Sequence, residues 1–178
     1  MMKPWFIAVE RFGPQDGHAW REYLSWSKLN QLDQLVSLDS LLCPPVLKKV
    51  EDHFWPHIVN EDLYLDYFTD LEFLRDQLNG QTNYRILCVV RNPRHTSKLP
   101  IELNMFEFVG LDLVEAGSGV SALSNCGGWP ELDNAELTNF GLISELQRAQ
   151  ELQKVLLKEH PEEPHADCDV WAIYIERS

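Results

Sequence analysis

The sequence predicts an α+β fold, one domain over residues 1–178, with a mostly antiparallel sheet and helices packed on one or both faces. Three observations predict it. Apolar runs of strand length recur at 5–9, 84–90, 106–114 and 170–175. Segments with helical spacing lie between them. A turn at Glu115 to Gly119 folds the third run back on itself, and a hairpin makes a purely parallel sheet unworkable. A chain of 178 residues suits one domain with a real core, and no repeat, low-complexity stretch or linker divides it.

Each element follows in turn. Trp5 to Val9 reads as a strand apolar on both faces, and Gly13-Pro14-Gln15-Asp16-Gly17 breaks the chain. A helix follows from about Ala19, with Trp20, Tyr23 and Leu24 on one face. Residues 29–42 are leucine-rich and fit either a short strand or a helix, and Pro44-Pro45 ends them. From Leu63 to Asn79, the stripe Phe68, Leu71, Leu74 and Leu78 predicts a helix capped by Gly80. Tyr84 to Val90 barely alternates, as in a covered strand. In the strand Phe106 to Val114, the apolar phase changes across Gly110, which predicts a β-bulge. Val120 to Cys126 is read as the returning strand of the hairpin. The last helix starts near Ser144, where Ser144-Glu145-Leu146-Gln147 fits a capping box, and Pro161 to Pro164 stops it. Val170 to Ile175, apolar on both sides, is read as a central strand.

Composition narrows the function. Hydrophobic residues at 44% place the chain among globular proteins. Fifteen Lys and Arg against 28 Asp and Glu give a net charge of −13. That charge argues against nucleic acid and against an anionic membrane surface, since both need a basic face. It leaves a basic protein as the partner the charge admits. The acid concentrates in residues 51–80, where Glu51, Asp52, Glu61, Asp62, Asp66, Asp70, Glu72 and Asp76 face one base, Arg75. Five apolar residues after Pro4 are too few for a secretory leader, and no stretch is long enough to span a bilayer. Cys43, Cys88, Cys126 and Cys168 form no C-x-x-C pair, and they read as reduced thiols of a cytoplasmic protein.

Candidate chemistry gathers at the densest glycine segment. Gly117 to Pro130 holds four of the nine glycines and Cys126. It lacks the spacing of a phosphate-binding loop and of a serine-hydrolase elbow. Cys126 is a candidate nucleophile with His165 as base, where Gly127 and Gly128 would offer backbone amides to an oxyanion. The plainer reading is a small buried thiol at a strand end. Asn125, Gly127, Gly128 and Trp129 are candidate ligand contacts. The basic loop of Arg91, Arg94, His95 and Lys98 is a candidate anion site, because arginine forks match carboxylates and phosphates.

His165, Asp167, Cys168 and Asp169 hold metal-ligating atoms, yet their spacing follows no zinc motif. Nor do His53 and His57, which flank Trp55 and Pro56; that segment reads as a turn anchoring Trp55 in the core. No motif calls for a cofactor. The expectation is therefore a non-enzymatic interaction or regulatory protein, of immunity type among others. The alternatives are a Cys126 enzyme and a small-ligand binder. Oligomeric state is not legible in the sequence.

Overall fold

A computed structural model describes residues 3–47, 51–96 and 99–177. Its centre is a five-stranded sheet with the order β1-β2-β5-β3-β4 and every pairing antiparallel. The strands are β1 (Trp5–Glu10), β2 (Tyr84–Arg91), β3 (Phe106–Glu115), β4 (Val120–Ser121) and β5 (Asp169–Glu176). Helices α1 (His18–Ser27), α2 (Leu71–Gln77) and α3 (Leu146–Glu159) join short 3-10 turns around it. The α+β class is thus as the sequence predicts.

The last strand in the chain lies between β2 and β3, which accounts for its apolar character on both sides. Pairing sets the faces. Trp5, Val89, Ile173 and Gly110 form one row across the sheet; Phe6, Cys88, Tyr174 and Phe108 form a row on the other face. Trp171 belongs to the first face, stacked on Tyr67 at 4.9 Å. The Arg75–Glu176 ion pair ties α2 to the second face, while α3 packs on β3 and β5.

The bulge expected at Gly110 is present. Phe108 pairs with Tyr174 and Gly110 with Ile173, leaving Val109 as the extra residue. Gly110 has φ +145, and Leu111 beyond it exchanges backbone hydrogen bonds with Ile143 at 2.8 and 3.0 Å.

Four local expectations are corrected. The helix expected over 63–79 is confined to Leu71–Gln77. Asp70 caps it, accepting from the Phe73 N–H at 3.1 Å. The preceding residues are held in tertiary pairs: Phe68 and Phe6 exchange both backbone bonds, at 2.8 and 2.7 Å, and Thr69 N donates to His57 O. Phe68 is buried from an extended segment, and that segment covers the open edge of β1.

The returning strand expected over 120–126 stops at Ser121, where the chain turns to meet buried carboxylates. Helix α3 begins at Leu146 with no side-chain cap. Ser144 is exposed, and Gln147 reaches forward to Glu151 at 2.9 Å instead of back. The ambiguous segment 29–42 is neither strand nor helix. It is irregular chain with buried Leu29, Leu32, Leu35 and Leu38, anchored by Leu35 N to Phe12 O and Val36 N to Phe140 O.

Candidate functional site

The glycine–cysteine bend rests on two carboxylates. Asp39 and Asp112 are 0% and 1% exposed, and no cation pairs with either among the described residues. Each is satisfied by four donors instead. Asp112 Oδ2 accepts from Ser37 Oγ at 2.6 Å and Leu38 N at 3.1 Å. Its Oδ1 accepts from Ser121 Oγ at 2.6 Å and Leu113 N at 2.9 Å. Asp39 accepts from Leu41 N, Leu42 N, Ser121 N and Asn125 Nδ2, at 2.8 to 3.2 Å. The pair therefore welds residues 37–42 to β3 and to the start of the bend. A buried carboxylate is tolerated only with such a full set of donors.

The bend is tied at further points. Tyr23 Oη on α1 donates to Ser124 O at 2.9 Å, and Trp129 Nε1 donates to Ala122 O at 2.7 Å. Gly127 and Gly128 take left-handed φ values of +73 and +99. Asn125, a candidate ligand contact, is thus engaged with Asp39.

Cys126 and His165 do meet in one cleft of about 400 Å³, together with Gly128, Trp129, His160 and Glu163. Their hydrogen bonds lead elsewhere. The Cys126 thiol donates to Ser121 O at 3.4 Å, and His165 Nδ1 lies 3.0 Å from Glu115 Oε2. Burial, with Asp39, Asp112, Glu163 and Glu115 adding negative charge, pushes the thiol up to about 12. A nucleophilic cysteine needs the opposite, a thiolate favoured by positive surroundings.

In the basic loop, Arg91 already has carboxylate partners. That guanidinium ends β2 and is neutralised twice, by Asp169 at 2.7 Å and Glu61 at 2.8 Å. Arg94 and His95 stand on the exposed loop, and Lys98 lies outside the described residues. The cleft lined by Trp129 contains none of Arg91, Arg94 and His95.

Among the described residues, no group of three or more His, Cys, Asp or Glu side chains is placed to hold a metal ion. His165, Asp167, Cys168 and Asp169 do not share a strand: β5 starts only at Asp169, and residues 164–167 run through turns and bends. Cys168 is buried, and Asp169 is held by Arg91 and Asn92. In the 52–57 turn the core anchor is Phe54, 5% exposed, not Trp55, 65% exposed.

The acidic segment folds into one excursion. A 3-10 turn, Asp52–His57, leads into a short pairing in which Val59 N donates to Tyr67 O and Thr69 N to His57 O; α2 follows. Phe54, Phe68 and Phe73 cluster beneath it, and His57 stacks on Phe73 at 3.8 Å. All eight acids are exposed. Glu51, Glu61, Asp70 and Glu72 have cationic or histidine neighbours, whereas Asp52, Asp62, Asp66 and Asp76 have no cation partner among the described residues. Partial desolvation raises the Asp66 carboxyl above its ordinary range. Trp55 and Tyr64, 65% and 59% exposed, stand on the same excursion.

Sequence reasoning missed Ser37, Asp39 and Asp112. The one available signal was Leu111-Asp112-Leu113, a charged residue within an otherwise apolar central run. Set against models of protein families, curated proteins and solved structures, the chain matches none. Among the described residues, no helix is long and apolar enough to cross a membrane.

Proposed function

We propose that the protein is a non-enzymatic binding protein, of regulatory or immunity type, whose 51–76 excursion receives a basic protein partner. One observation carries this reading: eight exposed carboxylates share an excursion with two exposed aromatic rings, Trp55 and Tyr64. Aromatic side chains supply binding energy at the centre of interfaces, and surrounding charge steers encounter and sets specificity. Four carboxylates have no cation partner among the described residues, which suits such steering. A reducing, cytoplasmic setting accords with four free thiols, three of them buried.

The test uses two variants. Wild-type protein immobilised at low salt should capture a basic protein from lysate of its native source. Replacing Asp52, Asp62, Asp66 and Asp76 together by asparagine should slow association with the purified partner about tenfold or more at low salt, with the difference vanishing at high salt. Trp55→Ala should speed dissociation by about tenfold or more at either salt. No capture at low salt, or binding indifferent to both variants, would sink the proposal.

A second reading puts a reaction or a small ligand in the cleft of Cys126, Trp129 and His165, with Cys126 as nucleophile and His165 as base. The shared cleft supports it. The thiol's bond to Ser121 O and its raised pKa weigh against the nucleophile.

A further inference from the structure

Half of the chain's eight arginines line a single cleft of about 660 Å³ where β2 begins and β5 ends. Arg11, Arg75, Arg85 and Arg177 face one acid in that lining, Glu176. The concentration runs against the chain's net charge of −13. Two of the four are accounted for. Arg75 bridges Glu72 and Glu176, and Arg177 lies 3.6 Å from Glu107.

The other two have no carboxylate partner among the described residues. Arg11 Nε donates to the carbonyl of Tyr84 at 2.9 Å. Arg85 is only partly exposed, and its guanidinium donates to Gln34 Oε1 at 2.5 Å. Burial and the like charge of Arg11 both work against the Arg85 cation. A half-buried guanidinium set beside a second one, with only neutral acceptors, is a costly arrangement that an anion would relieve. The cleft has the size of a small-molecule site.

We propose that this cleft binds a small organic oxyanion, a phosphate ester or a polycarboxylate, with its charged head between Arg11 and Arg85. A guanidinium offers two parallel N–H donors to either kind of head group. Gln34 accepts from Arg85 through its oxygen, which leaves its amide N–H₂ as a further donor at the same place. Tyr84, Ile86 and Ile175 give the rest of the ligand an apolar wall.

Inorganic phosphate and citrate serve as probes, each titrated against sodium chloride of equal ionic strength while the melting temperature is read. At least one should raise the melting temperature saturably beyond the chloride control; the probe that saturates at lower concentration names the head group. Arg85→Gln should weaken that probe's apparent affinity about tenfold or more, as loss of a charged hydrogen-bonding pair does. Arg11→Gln, at an exposed position, should weaken it too and carries the test should Arg85→Gln fail to fold. Arg94→Gln, on the loop after β2, should leave it unchanged. Neither probe exceeding chloride, wild-type responses in the Arg11 variant, or an equal loss in the Arg94 variant would overturn the assignment.

Discussion

Asp112→Ala should lower unfolding stability by about 3–5 kcal/mol, a large share of what a domain of this size holds. The substitution removes the acceptor for Ser37 Oγ, Leu38 N, Ser121 Oγ and Leu113 N at once, in a position 1% exposed. The hydroxyls can turn to other partners; the two backbone N–H groups cannot. Urea unfolding checks the loss, and its slope should stay near the wild-type value because the folded surface is unchanged.

Asp112→Asn should cost less, about 2 kcal/mol, since its oxygen keeps one half of the acceptor set while its N–H₂ opposes the other. The Asn variant also isolates a pH effect. Burial pushes the Asp112 carboxyl above the ordinary range, against the pull of Ser121, Ser37 and Leu38, and the neighbouring Asp39 adds to the rise. The folded protein then holds that proton to higher pH than the unfolded chain, where the group titrates near pH 4. Its contribution to stability is complete below about pH 4 and declines as pH rises through the raised folded value. Asparagine does not titrate. The penalty of Asp112→Asn should therefore be greatest at the acid end and shrink across that window.

Gly110→Ala should lower stability by about 3–5 kcal/mol, a melting point down by roughly 10 °C. Two costs combine. The backbone sits at φ +145, a region essentially closed to residues with a Cβ. A methyl group there would also meet Leu142 Cβ at 2.5 Å and the Ile143 carbonyl oxygen at 3.1 Å. Those neighbours belong to the strand-like segment that pairs with Leu111, so relief would break the pairing. Gly117→Ala is the control. Nothing lies within 4 Å of its added methyl and its φ is not in the left-handed region, so it should change stability by no more than about 0.5 kcal/mol. An alanine at 110 as harmless as one at 117 would mean that the bulge does not have this geometry.

The contrast between Gly110 and Asp112 explains what could be read in advance. Gly110 declared itself through a local change of apolar phase in an alternating run, and β1, β2 and β5 through unalternating runs that only a covered sheet accepts. Helix α2 was overextended because Phe68 keeps helical spacing with Leu71 while its backbone is bonded to Phe6, 62 positions earlier in the sequence. The buried carboxylates were illegible for the same reason. Ser37 and Asp112 meet across 75 residues, and no local pattern announces that Asp39 will find Ser121 across 82. Charge pairing was equally non-local. Arg91 looked available in the sequence, and Glu61 and Asp169 neutralise it; Arg11 and Arg85, unremarkable in the sequence, donate to neutral acceptors among the described residues.

We propose that the bend around Cys126 is a structural knot whose thiol stays protonated. Iodoacetamide labelling of the folded protein near neutral pH, resolved by cysteine through peptide mass spectrometry, tests it most directly. With the thiol pushed up to about 12, Cys126 should react at least about a hundredfold more slowly than the same cysteine in the urea-unfolded chain. Labelling of folded Cys126 as fast as, or faster than, the unfolded thiol would contradict the account.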